Sequence, residues 1–214
     1  MPSGSTNFLE KLQSPEPAVE ILAAAFKDYP VMRHILKDSG ALYQTHLEAL
    51  LAFYCQTRLT RQWPLLGLRT GEKLVAAAGI NEPEDIPWPS ALHRIYENLG
   101  KTIGPDAIQR MEAFENQCDD LSPEFPHYFL GIIGVLPGQQ GNGFARRLME
   151  EIHLLSERHP ASEGVCLSTE TATNVPLYQH LGYKILAEAD VGELHTWLMF
   201  RPNHASEGEN KHEY

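Results

Sequence analysis

The chain has 214 residues, of which 43% are hydrophobic and 21% are charged, a composition typical of a globular protein with a substantial core. Its formal net charge of −11 argues against nucleic acid as a partner, because binding to a phosphate backbone depends on clustered Lys and Arg. The acidity is compatible with attraction of cationic amines, and a solvated acidic surface explains it equally well. No apolar run approaches the ~20 residues of a membrane span, and residues 1–12 lack the apolar segment of a secretory signal. We therefore predict a cytoplasmic protein without membrane or nucleic-acid partners.

The cysteines and histidines do not form a metal-binding pattern. The three cysteines, Cys55, Cys118 and Cys166, have no metal-like spacing, and a sparse, odd set suits a reducing compartment. The ten histidines are scattered, with no His pair at ligand spacing beside a glutamate. We expect no metal cofactor.

The periodicity of the apolar residues, together with the prolines and glycines that end each segment, predicts the elements in chain order. Helices are predicted at 14–26, 41–58, 90–100, 105–118, 144–159 and 174–182, with a further short turn at 31–36. Strands are predicted at 63–69 and 73–80 as a hairpin, and at 128–136, 165–169, 184–189 and 194–201. Residues 1–13 and 203–214 are predicted to be flexible termini, which leaves one domain over 14–202. This order predicts an α+β or α/β layered sheet.

The stretch from Tyr128 to Met149 organises the chain. It consists of an apolar strand, Pro137, a glycine-rich turn and an amphipathic helix. A helix that begins at such a turn directs several unpaired N–H groups and the positive end of its dipole towards one point. The turn is therefore suited to a phosphate or pyrophosphate. It lacks the Lys-Ser/Thr ending of a P-loop and the third glycine of a dinucleotide fold.

A known family matches this turn more specifically. The string Gln140-Gly141-Asn142-Gly143-Phe144-Ala145 resembles the Gln/Arg-x-x-Gly-x-Gly/Ala acetyl-CoA loop of the GNAT (Gcn5-related) N-acetyltransferases. As in that family, it follows a strand that ends in Val-x-Pro, here Val135 to Pro137.

A second motif supports the same resemblance. Leu177-Tyr178-x-x-Leu181-Gly182-Tyr183 is similar to the GNAT pattern Leu/Phe-Tyr-x-x-x-Gly-Phe/Tyr that follows the fifth strand. The chain looks closest to the small-molecule branch that includes puromycin N-acetyltransferase, because of the strand start His127 to Leu130 and the closing strand Thr196 to Pro202. The string from Phe26 to Pro30 resembles the family segment that borders the acceptor site, although a simple helix-ending turn explains it as well. The resemblance is strong over 125–202, weaker over 16–90 and absent at both ends.

The resemblance implies a fold and a cofactor. The GNAT fold is a mixed, mostly antiparallel sheet of six to seven strands flanked by helices, in which a central parallel pair splays apart. Acetyl-CoA would be the co-substrate. The backbone N–H groups near Ile133, Gly134 and Val135 would bind its pantetheine arm and polarise the thioester oxygen. Those from Gln140 to Ala145 (Gln140, Gly141, Asn142, Gly143, Phe144 and Ala145) would hold the pyrophosphate.

The resemblance also implies catalytic roles and leaves one open. Tyr178 stands at the position of the family tyrosine that would protonate or hydrogen-bond the leaving thiolate. Many members carry an asparagine where this chain has Thr171, and Asn174 would contact the cofactor or cap its helix instead. The puromycin-type carboxylate on the fifth strand is replaced by Ser168. The base is therefore open between Glu170, His127 and a water-mediated route.

The leading hypothesis is transfer of an acetyl group from acetyl-CoA to the amine of a small molecule, by direct attack in a ternary complex. The alternatives are a peptide- or protein-directed acetyltransferase, an acyl-CoA sensor without turnover, and an unrelated nucleotide-binding domain. The acceptor pocket would be lined by residues from 26–60 and 82–125 and by the end of the last hairpin. The sequence identifies neither the acceptor nor the oligomeric state.

Overall fold

A computed structural model describes residues 7–84 and 86–203. Seven strands form one sheet in the order β1-β2-β3-β4-β5-β7-β6. The strands are β1 (Asn7–Lys11), β2 (Leu65–Thr70), β3 (Lys73–Asn81), β4 (Tyr128–Val135), β5 (Gly164–Thr169), β6 (Lys184–Val191) and β7 (Leu194–Pro202). The helices are α1 (Glu16–Phe26), α2 (Pro30–Ile35), α3 (Tyr43–Thr60), α4 (Ser90–Ile103), α5 (Pro105–Leu121), α6 (Phe144–Arg158) and α7 (Val175–His180), with short 3₁₀ turns at Gly40–Leu42 and Ala172–Asn174. Only β4 and β5 are parallel neighbours in this sheet, which confirms the predicted fold class.

The predicted flexible terminus over 1–13 is wrong for residues 7–11, which form β1. This strand pairs antiparallel with β2, from Asn7 opposite Thr70 to Lys11 opposite Leu66. The segment has too few apolar residues for its alternation to be recognised, and the free edge of β2 provides the partner for its backbone. Residues 1–6 lie outside the described part of the chain.

The predicted boundary at the other end also shifts, because Asn203 is tied to the body of the protein. Its side-chain amide donates to the carbonyl oxygens of Ser156 and Ser162 at 3.0 and 2.7 Å. Its backbone N–H donates to the Glu163 carbonyl at 2.8 Å. The rest of the predicted C-terminal tail, 204–214, lies outside the described residues.

The core has two parts, one on each face of the sheet. Leu65 and Ala77 belong to the cluster formed with α1 to α5, whereas Leu66 and Ala78 belong to the cluster formed with α6. Because adjacent residues of a strand point to opposite faces, the two helical layers cover opposite sides of the sheet.

An irregularity in β4 opens the centre of the sheet. Ile132 of β4 lies opposite Gly79 and Leu130 lies opposite Ile80, so Gly131 is an extra residue in a β-bulge. The parallel pairing of β4 with β5 covers only three residue pairs and ends at Leu130 opposite Leu167. A bulge bends its strand and increases the local twist, so the strands diverge from this point, as the resemblance predicted.

Within residues 7–84 and 86–203, no helix has the length and apolarity that crossing a membrane requires. The same described residues contain no group of three or more His, Cys, Asp or Glu placed to hold a metal ion.

Candidate active site

A cleft lies where β4 and β5 separate. It is lined from both layers of the protein. Its walls comprise Phe26, Tyr29, Val31, Met32, Tyr54, Phe114, Leu130, Gly131, Ile132, Ile133, Leu167, Ser168, Glu170, Asn174 and Tyr178. Phe26 and Met32 belong to the α1–α5 side, whereas Ile133 and Tyr178 pack with the α6 side. The cleft therefore connects the two faces of the sheet, and two molecules entering from opposite faces would meet within it.

Beyond the bulge, one edge of β4 has no strand beside it. The N–H of Leu136 donates to the Val75 carbonyl of β3 at 2.8 Å. Backbone polar groups alternate between the two edges of an extended strand, so the N–H of Gly134 also faces β3. The N–H groups of Ile133 and Val135 face the unpaired edge. Of the three residues predicted to bind pantetheine, these two have free donors. At Gly134, side-chain atoms of α1 lie 3.0 Å from the point where a Cβ would stand, so the glycine allows α1 to pack closely on the strand.

The glycine-rich turn leads directly into α6. Gly141 and Gly143 have φ of 80° and 76°, a backbone conformation that costs other residues free energy. Gly143 occupies the N-cap of α6 without a side-chain capping bond, so the first N–H groups of this 15-residue helix are available to an anion. Phe144 is 6% exposed and packs in the core; only its backbone is placed for such a role. The predicted loop Gln140–Ala145 therefore has a geometry that fits a pyrophosphate.

The arginines that follow this loop, Arg146 and Arg147, lie on the exposed side of α6. Arg146 pairs with Glu150 at 2.9 Å, one turn along the helix. This arrangement is typical of a solvated helix face.

Tyr178 extends from α7 into the cleft. Its ring packs edge-on against the ring of Tyr183, with centroids 5.8 Å apart. Burial raises the pKa of the Tyr178 hydroxyl to about 12, and the charge of Glu170 acts in the same direction. The hydroxyl is therefore protonated at neutral pH, which is the state needed to donate a proton or a hydrogen bond.

Glu170 follows the last residue of β5 and faces the same cleft. The Thr196 hydroxyl donates to its Oε1 at 2.9 Å. Its backbone N–H donates to the Tyr29 hydroxyl at 3.3 Å. Burial raises the pKa of the carboxyl, while hydrogen bonds to Thr196, Tyr29 and Ser168 act against this shift. A half-buried carboxylate held in one orientation and with a raised pKa is a stronger base than an exposed one and is suited to accept a proton.

His127, the other side chain considered as a base, lies elsewhere. It precedes the first residue of β4, whereas the cleft opens beyond Leu130. Its Nδ1 lies 2.8 Å from the Phe125 carbonyl oxygen, and its ring packs against Phe200. This places the imidazole at the opposite end of the strand from Tyr178.

Asn174 lines the cleft and does not cap its helix. It occupies the N-cap position of α7 without a side-chain capping bond. Its amide Nδ2 donates instead to the Thr169 hydroxyl at 3.2 Å, and this hydroxyl also lies 3.1 Å from the Tyr29 hydroxyl. The capping alternative raised by the sequence is therefore wrong. Tyr29 and Asn174 are joined through one residue at the end of β5.

Several cleft residues carry no signal in the sequence. Tyr54 falls on the apolar face predicted for α3, and Phe114 is one aromatic residue in a predicted helix. Only the tertiary arrangement brings them to the mouth of the splayed strands. The string from Phe26 to Pro30 was the one recognisable pointer to this side of the cleft, and Phe26 and Tyr29 line it.

Comparisons with known proteins agree with this geometry. Residues 95–185, which contain both motifs, match the family model described as "Acetyltransferase (GNAT) domain". Overall similarity is found to a histone acetyltransferase HPA2 and related acetyltransferase from Corynebacterium glutamicum, with a TM-score of 0.66, 17% identity and coverage of 94% of this chain and 98% of that one. The protein has the GNAT fold.

Two further GNAT-fold relatives have names that refer to amines. Arylalkylamine N-acetyltransferase 2 from Aedes aegypti superposes with a TM-score of 0.63 at 13% identity, covering 92% of this chain and 99% of that one. The Drosophila melanogaster polyamine N-acetyltransferase, which catalyses the formation of N-acetylagmatine, has a TM-score of 0.59 at 14% identity, with coverage of 91% and 98%. At these identities the likeness establishes the fold, and the activity of this chain has to be argued from its own site.

Proposed function

We propose that the protein transfers an acetyl group from acetyl-CoA to the amine of a small molecule. The observation that carries this proposal is one cleft that combines the unpaired N–H groups of β4 with Tyr178 and Glu170. The GNAT domain match over 95–185 supports acyl transfer. The closing strand Thr196 to Pro202, similar to that of the puromycin-type branch, favours a small acceptor over a peptide.

Acetyl-CoA would supply an acetyl group already activated as a thioester. The N–H groups of Ile133 and Val135 would hold its pantetheine arm along the open edge of β4. The N-terminus of α6 and the turn before it would hold the pyrophosphate. The Ile133 N–H, closer to the bulge, would also donate to the thioester oxygen as negative charge develops there.

Glu170 would accept the proton that the amine loses, and Tyr178 would donate a proton to the leaving sulfur. An alkyl amine with a pKa near ~10.4 is mostly protonated at neutral pH and must lose a proton before it can attack. Glu170 faces the cleft as a carboxylate whose raised pKa brings it closer to that task. Tyr178 keeps its proton at neutral pH and would deliver it, or a hydrogen bond, to the departing sulfur.

Ligand-induced thermal shifts test the first half of this proposal. Acetyl-CoA and CoA should raise the melting temperature, because a ligand that binds only the folded state stabilises it. ATP and NAD should not; stabilisation by either of them instead of by CoA would favour an unrelated nucleotide-binding domain.

A thiol-release assay with a panel of amines tests the second half. Cys55, Cys118 and Cys166 are all buried, so the protein itself should contribute little background. Release of CoA that depends on an added small amine supports the enzyme. Binding of acetyl-CoA without acetylation of any amine or peptide would instead favour a sensor, and acetylation of peptides alone would favour a protein-directed enzyme.

A further inference from the structure

An unpaired cation lies beside the cleft. Arg58, in the last turn of α3, is 6% exposed. Its Nη1 donates to the Tyr54 carbonyl at 2.8 Å, and its Nε is buried without a hydrogen-bond partner. It forms no ion pair with any carboxylate in the described residues. A buried guanidinium with so few partners is destabilising unless something else compensates its charge.

The guanidinium lies against the bulge of β4. A Cβ on Gly131 would stand 2.1 Å from Arg58 Nη2, and one on Gly79 would stand 3.0 Å from its Cδ and Nε. Because both residues are glycines, the arginine can lie directly on the backbone of the two strands. Gly131 is also part of the cleft wall. The charge therefore lies directly behind this part of the cleft wall, where β4 and β5 begin to separate.

The protein itself compensates this charge only in part. Glu115 of α5 is a carboxylate whose charge acts on Arg58, but it does not contact the guanidinium as an ion pair. Burial raises the pKa of Glu115 to about 7, so its negative charge is incomplete at neutral pH. Tyr54 offers a carbonyl oxygen and the face of its ring, with its centroid 5.9 Å from the Arg58 Cζ.

The position of Arg58 excludes the phosphates of the acyl donor as its partner. α3 packs on the face of the sheet covered by α1 to α5, whereas the glycine turn and α6 lie on the opposite face. A molecule that reaches Arg58 through the cleft therefore comes from the acceptor side. On this side the lining is largely apolar and aromatic, with Phe26, Met32 and Phe114.

We propose that the acceptor is an amino acid with an apolar side chain, whose carboxylate is bound by Arg58. This inference rests on the proposed function and specifies its substrate class. The guanidinium would donate to the carboxylate from Nη2, the nitrogen that lies against Gly131 of the cleft wall, because charge-assisted hydrogen bonds of this kind are strong. Nε is fully buried against Gly79 and would not take part. The apolar side chain would pack among Phe26, Met32 and Phe114, and the amine would face Glu170 and the thioester.

Matched pairs of amines test the proposal on the wild-type protein. L-phenylalanine is compared with phenethylamine, and L-leucine with 3-methylbutylamine, each at the same concentration of unprotonated amine. We expect kcat/KM to be about 10- to 100-fold higher for each amino acid than for its decarboxylated counterpart, the range typical of a hydrogen-bonded charge pair. Equal rates, or a preference for the decarboxylated amines, would overturn the proposal while leaving the acetyltransferase function intact.

Variants of Arg58 separate recognition from a structural role. Arg58→Gln should lower kcat/KM for the amino acids by about 10- to 100-fold and change that for the decarboxylated amines by less than about threefold. Arg58→Lys should keep part of the preference, because it retains the charge but not the fork of donors. The control is Arg61→Gln, at the C-cap of the same helix, whose guanidinium lies over the Trp63 ring at 4.5 Å; it should leave the preference unchanged.

The outcomes are distinguishable. An equal loss for both classes of amine in Arg58→Gln, with unchanged acetyl-CoA affinity, would assign Arg58 a structural role and refute the proposal. If Arg58→Gln does not fold, the wild-type comparison and Arg58→Lys still decide it. If wild type neither binds acetyl-CoA nor acetylates any amine, the proposed function itself fails.

Discussion

Replacing Tyr178 by Phe removes one hydroxyl from the cleft and little else. The ring contact with Tyr183, at 5.8 Å between centroids, is retained in the variant. The Tyr178 hydroxyl donates no hydrogen bond to a described residue, so its removal leaves no buried partner unsatisfied. We therefore expect the free energy of unfolding to change by less than about 0.5 kcal/mol.

The effect on turnover should be much larger. A positioned general acid contributes on the order of 10²- to 10⁴-fold to the rate, which corresponds to about 3–5 kcal/mol in the activation free energy. We expect kcat to fall by this factor, while the dissociation constant for acetyl-CoA stays within about threefold of wild type, because the backbone donors of β4 and α6 are untouched. With the pKa of Tyr178 at about 12, this loss should be the same throughout pH 6–9, the range of the assay.

The measurement combines the thiol-release rate with calorimetric titration of acetyl-CoA into each variant. Tyr183→Phe is the matched control, because Tyr183 is 2% exposed and its hydroxyl lies 3.0 Å from His153 Nε2 in the core. This control should lower stability by about 1–3 kcal/mol and leave kcat nearly unchanged. A Tyr178→Phe variant with kcat within twofold of wild type would refute the role assigned to this tyrosine.

Three further predictions concern the base, the glycine turn and the C-terminal anchor. Glu170→Gln should lower kcat/KM by on the order of 10²-fold and remove the acidic limb of the kcat/KM profile, because the wild-type carboxyl accepts a proton only above its raised pKa; a pH–rate profile checks this. Gly143→Ala should destabilise the fold by about 1–2 kcal/mol, because its φ is 76°, and weaken acetyl-CoA binding as measured by calorimetry. Gly40→Ala, at φ 52° with open space around it, should be similarly strained in thermal denaturation without weakening acetyl-CoA binding. Asn203→Ala should cost about 1–3 kcal/mol in denaturant unfolding, because it removes the donor to the Ser162 carbonyl and the acceptor of the Ser156 hydroxyl.

Each of these predictions has a contrary result. A Glu170→Gln variant that keeps the wild-type pH profile would return the base to a water-mediated route. Equal acetyl-CoA affinities in Gly143→Ala and Gly40→Ala would separate the turn from the pyrophosphate. An Asn203→Ala variant as stable as wild type would mean that Asn203 does not anchor the end of β7.

The elements that the sequence predicted well are those with strong local signals. The turn from Pro137 to Gly143 is determined by proline, which restricts the backbone, and by glycine, which allows conformations closed to other residues. The apolar residues Phe144, Leu148 and Ile152, at helical spacing, determine the buried face of α6. These signals depend on neighbours within a few residues. The prediction failed at β1, where pairing depends on a distant strand, β2, and where the segment alone has no recognisable pattern.

The sequence alone thus determined the strand–turn–helix, the Tyr178 motif and the order of the elements. Hydrophobic periodicity, glycine and proline determine these features because each acts on the backbone over only a few residues. Tertiary structure alone decided how β4 and β5 separate, because the bulge at Gly131 depends on its pairing with β3. It also placed Glu170 rather than His127 beside Tyr178 and brought Arg58 onto Gly131 from a separate helix. Contacts of this kind join residues far apart in the chain, and no spacing within the sequence encodes the distance between them.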